Sequence, residues 1–358
     1  MKAARYYGRG KIQIDDIPEP ELTRGSVGIE VAWCGICGTD LHEYLDGPIF
    51  CPQPGEYHAA SGESLPVTLG HEFSGTVYAV GPGVEDIAPG QRVVVEPYIV
   101  RDDVDTGPNS KDYHLSKDIG VIGLSGRGGG LGEKIVVERR WVHPIPDSLP
   151  LDQAALVEPL SVAYHAVERS EVRKGAVAVV GGAGPIGLLT CAVLKALGVT
   201  VIVSELSSLR RQKAFDTGVA DYVLDPREID VTQEVFRLTG DRGADVAFEC
   251  SSAQPVLDTL VDALKPAGIL VVIGIWGDRA GIDLFKIVVK EIDLRGAFAY
   301  VNSYPAVIKL LGSGSIDLQP FVTHKIGLDG LISEGFDTLL HHSESAVKII
   351  VSPSGKGL

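Results

Sequence analysis

The chain has 358 residues, of which 45% are apolar and 22% are charged, and this composition excludes a disordered chain, a coiled coil and a collagen. Its 47 acidic and 32 basic residues give a net charge of −15, which argues against nucleic acid and anionic membranes as partners. Chains of this length usually form two domains. The amino terminus lacks the apolar segment of a secretion signal before Asp15, and the odd number of five cysteines argues against a disulfide framework. We therefore expect a cytoplasmic protein.

Residues 1–150 predict a mainly β domain. Short segments of alternating hydrophobicity occur at 27–33, 75–80 and 91–98, and Pro-Gly and Asp-Gly pairs separate segments of this kind.

Within this half, a metal-binding pattern is present. The sequence CGICGTDLH spans residues 34–42, and Gly-His-Glu follows at 70–72. A thiolate, an imidazole and a carboxylate together suit Zn²⁺, and three protein ligands leave one position open for a substrate. Cys34 and Cys37 could instead form half of a zinc ribbon or a redox pair. A ribbon needs a second pair, which the cysteines at 51, 191 and 250 do not supply, and a redox pair belongs to a different fold.

Residues 151–298 predict a six-stranded parallel sheet with helices on both faces, a doubly wound Rossmann domain of the α/β class. Between the strands lie segments of helical periodicity such as 186–197 and 256–264. The uncharged stretch 175–194 has the length of a membrane span, but its central glycines and proline favour a strand, a turn and a helix. The six predicted strands are VAVVG (177–181), VIVSE (201–205), YVLD (222–225), VAFEC (246–250), ILVVIG (269–274) and IDLRGAF (292–298).

A dinucleotide-binding motif follows the first of these strands. Gly182, Gly184 and Gly187 form G-A-G-P-I-G, with Pro185 and Ile186 inside it, directly before a predicted helix. The glycines allow a tight turn, a close approach of the backbone to a pyrophosphate, and close packing of helix on strand.

The second strand ends at Glu205, where a carboxylate would accept hydrogen bonds from the ribose hydroxyls of NAD and repel the 2′-phosphate of NADP. Arg210 and Arg211 complicate this preference, because they could bind adenine or a 2′-phosphate, or could simply be solvated.

Ligands of parallel sheets lie beyond the carboxyl ends of the strands. On this rule Cys250, Gly274 and Phe298 are candidate cofactor contacts, although Cys250 is equally compatible with a small core residue. Residues 299–358 contain a predicted helix at 304–311 and a final strand at 348–352, which we expect to return to the first domain.

The motifs occur together in a known family. CGICGTD, GHEFSGTV, VEPLSVAYHAV and GGAGPIG, in this order, resemble the zinc-dependent medium-chain alcohol dehydrogenases over nearly the whole chain. HEYLDGPIF, ESLPVTLGHEF and GLSGRGGGLGEK are most similar to the (R,R)-2,3-butanediol dehydrogenases of that family. The resemblance implies a GroES-like catalytic domain over 1–150, a Rossmann domain over 151–298, and hydride transfer between NAD and a secondary alcohol such as 2,3-butanediol. Sorbitol and threonine dehydrogenases remain alternatives, as does a nucleotide-binding protein without catalysis.

The resemblance also implies roles for individual residues. Cys37, His71 and Glu72 would bind the catalytic zinc, with Glu158 as a direct or water-bridged fourth ligand, and Cys34 would pack rather than coordinate. Cys51 and His58, in an inserted loop, would be surface residues. Zinc would make the alcohol hydroxyl acidic. Thr39 would accept its proton and pass it by way of the cofactor ribose to His42, unless His42 is only a loop residue.

One departure from the family concerns a second, structural zinc, which many members hold with four cysteines. Residues 98–120 contain no cysteine, so a thiolate site cannot form there. Asp102, Asp103, Asp105 and Asp112 in this stretch are expected to be solvated. We thus expect one zinc per chain. By resemblance we also expect a homodimer or homotetramer, with residues 292–298 as an edge strand that can pair across a dimer.

Overall fold

The structure is a computed structural model of the chain, and it describes residues 1–342 and 345–358. Residues 343 and 344, within the predicted returning segment 299–358, lie outside the described residues. The strands are β1 (Lys2–Gly8), β2 (Lys11–Asp16), β3 (Ser26–Gly35), β4 (Val67–Thr68), β5 (Glu72–Val80), β6 (Arg92–Val95), β7 (Tyr98–Ile99), β8 (Gly120–Val121), β9 (Lys134–Glu138), β10 (Val142–Pro144), β11 (Val177–Gly181), β12 (Thr200–Ser204), β13 (Tyr222–Leu224), β14 (Ala244–Glu249), β15 (Leu264–Val272), β16 (Asp293–Gly296), β17 (Val322–Gly327) and β18 (Lys348–Ser352).

The α-helices are α1 (Gly38–Leu45), α2 (Leu151–Ala154), α3 (Val157–Ser170), α4 (Pro185–Ala196), α5 (Ser208–Asp216), α6 (Val231–Leu238), α7 (Gln254–Ala263), α8 (Leu284–Lys290), α9 (Tyr304–Gly312) and α10 (Asp337–His341). Among the described residues, none of the helices combines the length and the apolar character that a membrane span needs. The stretch tested as a span at 175–194 divides into β11, a turn and the 12-residue α4.

The chain forms two compact units, residues 1–158 with 304–358, and residues 159–303. Both boundaries fall slightly later than the predicted 150 and 298. Residues 151–158 belong to the first unit because α2 lies against β5, where the Ser74 hydroxyl donates to the carbonyl of Leu151 at 2.5 Å. Tyr304 belongs to the same unit because its hydroxyl donates to the carbonyl of Val95 at 2.8 Å.

The first unit is mainly β. Its largest sheet has the order β10-β6-β5-β3-β18-β17, and β9 also pairs with β3. The register places Gly35, the last residue of β3, beside Glu72 on one side and Ile350 on the other. The end of β3 thereby brings the start of β5 and the carboxyl-terminal strand β18 side by side, which positions the candidate metal site.

The second unit is a six-stranded parallel sheet of order β13-β12-β11-β14-β15-β16 with helices between the strands. This is the doubly wound order with β11 as its first strand, and it confirms the predicted Rossmann fold. The predicted first strand agrees at both ends, and the second, third, fourth and sixth agree within a few residues, but β15 begins at Leu264, earlier than the predicted 269. Within this strand, Ala267 follows Pro266 and has a left-handed φ of 56°. The first half of the strand therefore lacks the continuous apolar run from which the strand was predicted.

The register of this sheet aligns the carboxyl ends of its strands. Ser204 lies beside Gly181 and Leu224, and Glu249 lies beside Gly181 and Val272. The residues that follow each strand are therefore neighbours along one edge, where ligands of parallel sheets bind.

Candidate metal centre and cofactor site

Three predicted ligands meet in the first unit. Cys37 precedes the first residue of α1, His71 lies between β4 and β5, and Glu72 is the first residue of β5. One donor atom from each, a thiol sulfur, an imidazole nitrogen and a carboxylate oxygen, lie within 4.8 Å of one another. His71 and Glu72 are buried, whereas Cys37 is half-buried. This donor set is one that zinc prefers in sites that leave a position open.

Asp40 positions two of these residues and was not singled out from the sequence. It is fully buried in α1, and its Oδ2 accepts a hydrogen bond from the backbone N–H of Cys37 at 2.9 Å. Its Oδ1 lies 3.7 Å from Nδ1 of His71. At this distance the two atoms are in ion-pair range but are not hydrogen-bonded. A carboxylate on this side of a histidine ring favours metal binding through the other nitrogen. Burial raises the pKa of Asp40 to about 6, although nearby His71 acts in the opposite direction.

Lys348 is a second contributor that the sequence did not reveal. It begins β18, is 3% exposed, and its ammonium forms an ion pair with the carboxylate of Glu72. Gly35 makes this pair possible, since a Cβ at that position would lie 2.7 Å from Cε of Lys348 and would collide with the Glu72 carboxylate. The ion pair between Lys348 and Glu72 therefore requires a glycine at position 35.

Glu158, in the first turn of α3, is half-buried. Its charge contributes to the raised pKa of both His71 and Lys348. It is not one of the three residues whose donor atoms lie within 4.8 Å. The structure thus places Glu158 near the trio and leaves its coordination as a prediction.

The electrostatics of the cluster favour a cation. Burial alone would lower the pKa of His71, but the negative charges of Asp40, Cys37 and Glu158 raise it well above its usual value. Burial would likewise lower the pKa of Lys348, and the charge of Glu72 reverses that direction. Several acidic groups in one buried place need compensation by positive charge. The donor set and this charge balance both fit a bound zinc ion.

The two predicted relay residues lie on α1. The Thr39 hydroxyl is 3.6 Å from the sulfur of Cys37, so it borders the trio. The His42 side chain is 62% exposed, and its Nδ1 lies 3.5 Å from Oδ2 of Asp46. Thr39 is thus at the cluster and His42 is in solvent contact, a placement that leaves their relay role as a prediction.

The other two cysteines of this unit, Cys34 and Cys51, do not belong to the gathered trio of donors. Burial raises the pKa of Cys34 well above its usual value, as expected for a packed thiol that is not a ligand. The prediction that Cys51 is a surface residue is wrong, because it is only 3% exposed. Its loop folds inward around the buried carboxylate of Glu43, which accepts a hydrogen bond from the backbone N–H of Cys51 at 3.2 Å. His58 is half-buried.

In the second unit, the glycine-rich turn has the geometry that the motif predicts. Gly182 has a left-handed φ of 96°, which only glycine adopts readily. A Cβ at Gly187 would lie 2.0 Å from the carbonyl oxygen of Gly182, so close packing requires a glycine there. A Cβ at Gly184 would meet nothing within 4 Å. This open space lies at the start of α4, whose first residues are Pro185 and Ile186, and free N–H groups there suit a pyrophosphate.

Glu205 lies directly beyond β12 and is 9% exposed. Its carboxylate accepts hydrogen bonds from the backbone N–H groups of Ala183 and Ser207, both at 2.7 Å. Because the first of these belongs to the glycine-rich turn, Glu205 fixes the turn as well as offering an acidic group near it.

Arg210 and Arg211 make different contacts. Nη2 of Arg211 lies 2.8 Å from Oδ2 of Asp225, and its Nη1 donates to the carbonyls of Glu205 and Leu206. The backbone N–H of Arg210 donates to the Ser207 hydroxyl at 3.4 Å in the capping turn of α5.

The remaining cofactor candidates lie at the same sheet edge. Cys250 follows β14 directly, Gly274 is two residues beyond β15, and Phe298 is two residues beyond β16 and 42% exposed. Glu249, which the sequence analysis did not single out, organises this edge. Its Oε1 accepts hydrogen bonds from the backbone N–H groups of Ser251 and Ser252, and its Oε2 accepts one from the Trp276 indole.

Comparisons with known proteins support the family predicted for both parts of the chain. Residues 23–147 match the family model of the alcohol dehydrogenase GroES-like domain, and residues 185–313 match that of the zinc-binding dehydrogenases. A relative named (R,R)-butanediol dehydrogenase from Neisseria gonorrhoeae is 62% identical over 99% of this chain and 100% of its own length. The chain belongs to the zinc-dependent alcohol dehydrogenase family.

Within the family, a second butanediol dehydrogenase has a higher sequence identity to this chain than a sorbitol dehydrogenase has, as the motifs predict. The (R,R)-butanediol dehydrogenase of Bacillus subtilis is 44% identical over 99% of this chain and 100% of its own. The crystal structure of 2R,3R-butanediol dehydrogenase from Bacillus subtilis superposes with a TM-score of 0.92 at 43% identity, covering 98% of this chain and 99% of the other. A sorbitol dehydrogenase of Bacillus subtilis is 33% identical over 99% of this chain and 98% of its own. The predicted family and fold are therefore confirmed.

Proposed function

We propose that the protein is an NAD-dependent enzyme that oxidises (R,R)-2,3-butanediol to acetoin and catalyses the reverse reduction. The observation that carries this proposal is full-length similarity, at 62% identity, to an enzyme of that name in a chain whose Cys37, His71 and Glu72 are gathered as metal donors. In the forward direction, the alcohol loses one hydride to NAD and one proton to water.

In this proposal, one zinc per chain is held by Cys37, His71 and Glu72, with Glu158 as a direct or water-bridged fourth ligand. When bound, zinc supplies Lewis acidity that lowers the pKa of an alcohol hydroxyl by several units. Asp40 orients the His71 ring and the backbone of Cys37, and Lys348 compensates the charge of Glu72. The residues of the chain thus supply the geometry and the charge balance that the ion needs.

The proton released from the substrate needs a path to water, and we assign it to α1. The Thr39 hydroxyl, beside the Cys37 sulfur, accepts a proton from the substrate oxygen and releases its own. His42, one helical turn further along α1 and exposed, is the residue we assign to exchange that proton with solvent.

The cofactor in this proposal lies along the edge formed by Gly182, Gly184, Pro185, Ile186, Gly187 and Glu205. When bound there, NAD would supply the hydride acceptor. The open position at Gly184 takes the pyrophosphate, and the Glu205 carboxylate, held by two N–H groups, accepts hydrogen bonds from the adenosine ribose. Cys250, Gly274 and Phe298 line the continuation of this edge, and Arg210 lies near the adenosine end.

Steady-state kinetics with NAD test the substrate. We expect kcat/KM for (R,R)-2,3-butanediol to exceed the values for the (S,S) stereoisomer, sorbitol and L-threonine, and acetoin to be reduced with NADH. A clear preference for sorbitol or threonine would contradict the substrate and keep the family. Metal analysis of the same sample should give about one zinc per chain, and a second zinc would contradict the single-site proposal.

We also propose that the enzyme forms a homodimer, either alone or within a homotetramer. β16 ends its sheet, and within residues 1–342 and 345–358 no strand pairs with its outer side. The helix before it, α8, exposes four apolar side chains, which an unpartnered surface seldom presents together. These are Leu284 at 66%, Phe285 at 74%, Val288 at 71% and Val289 at 58% exposure. Light scattering should show a dimer or tetramer, and Val288→Asp should shift it toward monomers. A monomeric wild type would contradict the proposal.

The expected cytoplasmic location also remains a proposal. It is supported by the five cysteines, all of which are free thiols in the structure, as is usual in a reducing compartment. Cell fractionation would test it.

A further inference from the structure

Beside Glu205, an acidic residue binds two arginines at once. Asp225 directly follows β13, as Glu205 follows β12, and the backbone N–H of Glu205 donates to the carbonyl of Leu224 at 3.1 Å. Asp225 and Glu205 therefore occupy equivalent places on neighbouring strands, at the edge where the adenosine ribose is proposed to bind.

Asp225 is nearly buried, with 6% of its side chain exposed, and both its oxygens are engaged by cations. Arg227 binds it in a bidentate way, with Nε 2.9 Å from Oδ1 and Nη2 2.6 Å from Oδ2. Arg211 adds a third contact, from its Nη2 to Oδ2 at 2.8 Å. Bidentate guanidinium–carboxylate pairs are among the strongest hydrogen-bonded arrangements in proteins.

Backbone carbonyls complete the arrangement. Nη1 of Arg211 donates to the carbonyl of Leu206 at 2.6 Å, and Nη2 of Arg227 donates to the same carbonyl at 2.9 Å. Both guanidinium groups are thus tied to the loop that follows β12.

An arginine near the end of the second strand is the usual means by which such folds accept the 2′-phosphate of NADP. Besides Arg210, this chain has two arginines close to that position, Arg211 and Arg227, and both have donors directed at Asp225 and at backbone carbonyls. We propose that Asp225 is a specificity-determining residue, which withholds Arg211 and Arg227 from a 2′-phosphate and so disfavours NADP in addition to the repulsion by Glu205. This inference rests on the proposed binding of a nicotinamide dinucleotide at the glycine-rich turn.

The test measures dissociation constants of NADH and NADPH from nicotinamide fluorescence, independently of catalysis. In Asp225→Asn, a freed guanidinium can bind phosphate, and one charge-assisted hydrogen bond corresponds to about tenfold in affinity. We expect the Kd of NADPH to fall about tenfold and the Kd of NADH to stay within about twofold. In the double variant D225N/R211M, most of the gain for NADPH should disappear, because the cation that produces it is gone.

The matched control is Asp221→Asn. Asp221 precedes β13, at the opposite end of the strand, and pairs with Lys195 at 2.7 Å. This acid–base pair joins α4 to the residue before β13, away from the nucleotide edge, so its loss should change neither Kd. If Asp221→Asn lowered the Kd of NADPH as much as Asp225→Asn does, the effect would be explained by the change in net charge, and the inference would be overturned.

Arg211→Met alone keeps the test decisive if Asp225→Asn folds poorly. With Asp225 in place we expect no change in the Kd of NADPH, whereas a weaker Kd would show that Arg211 already serves the phosphate and would overturn the inference. The inference is also overturned if the wild-type protein binds NADH but Asp225→Asn leaves the Kd of NADPH unchanged. In that case the proposed function still stands. Wild-type protein that binds neither nucleotide refutes both.

Discussion

At the scale of single residues, the candidate metal site depends on groups other than the predicted ligands. Asp40 and Lys348 are both almost fully buried, and each faces a predicted ligand, His71 and Glu72 respectively. A buried ion pair that loses one partner leaves an uncompensated charge, which typically costs about 3–5 kcal/mol. The predicted ligands are thus surrounded by a set of charges that the fold supplies.

Lys348→Met is expected to reveal this compensation. In metal-free protein, the free energy of unfolding should fall by about 3 kcal/mol, because Glu72 keeps its buried charge without the ammonium. With zinc bound the loss should be smaller, since the ion supplies positive charge at the same place. Urea denaturation with and without zinc measures the difference.

The control for this comparison is Lys325→Met. Lys325 pairs with Asp152 and is 39% exposed, so its loss should cost less than about 1 kcal/mol in both states. An equal loss for Lys348→Met with and without zinc would contradict the argument.

At the scale of structural elements, the lobe at 98–121 is held without cysteine ligands. β7 pairs with β8, and the rings of Tyr98, Tyr113 and Trp141 meet edge to face at centroid distances of 5.5–5.8 Å. The Tyr113 hydroxyl and His143 both contact the carboxylate of Glu96, which is 3% exposed. The four aspartates of the lobe, at 102, 103, 105 and 112, are all exposed, as expected for solvated residues.

Tyr113→Phe should loosen this lobe while leaving the catalytic metal bound. Removal of a buried hydrogen bond to the Glu96 carboxylate is expected to cost about 1–3 kcal/mol. Hydrogen exchange should become faster in residues 98–121, with zinc content unchanged. Tyr57→Phe is the control, because Tyr57 is 76% exposed and should change neither quantity. Loss of zinc from Tyr113→Phe would contradict the separation of lobe and metal site.

At the scale of the whole molecule, the predicted ligands and their partners come from distant parts of the chain but from one compact unit. Cys37, His71, Glu72 and Lys348 all lie in the unit formed by residues 1–158 and 304–358. A metal that binds groups from several elements stabilises the unit that contains them.

Removal of zinc by a chelator should therefore act on one unit. We expect faster hydrogen exchange in α1 and at the junction of β3, β5 and β18, with unchanged protection in β11–β16. Cys37→Ser should reproduce this pattern without chelator. Cys191→Ala, which removes a buried thiol from α4 in the other unit, should leave the zinc content as it is. A chelator effect spread evenly over both units would refute the assignment.

The sequence by itself determined the features that depend on local pattern. Apolar periodicity located the six strands of the Rossmann sheet, and the spacing of Gly182, Gly184 and Gly187 predicted a turn whose geometry the structure displays. These predictions succeeded because the spacing of apolar residues and the position of a glycine depend directly on the local backbone conformation. The residue types at 34–42 and 70–72 suggested a metal site, and the family resemblance implied Cys37, His71 and Glu72 as its ligands, which the structure brings together.

Only the tertiary structure decided which residues surround those groups. Lys348 reaches Glu72 because β18 lies beside β3 at Gly35, and Asp225 holds Arg211 because β13 lies beside β12. Cys51, expected at the surface, is buried because the carboxylate of Glu43 gathers its loop inward. Each of these contacts joins residues through strand register or a buried hydrogen bond. A local sequence pattern records which conformation a segment adopts, but not which distant segment it will lie against.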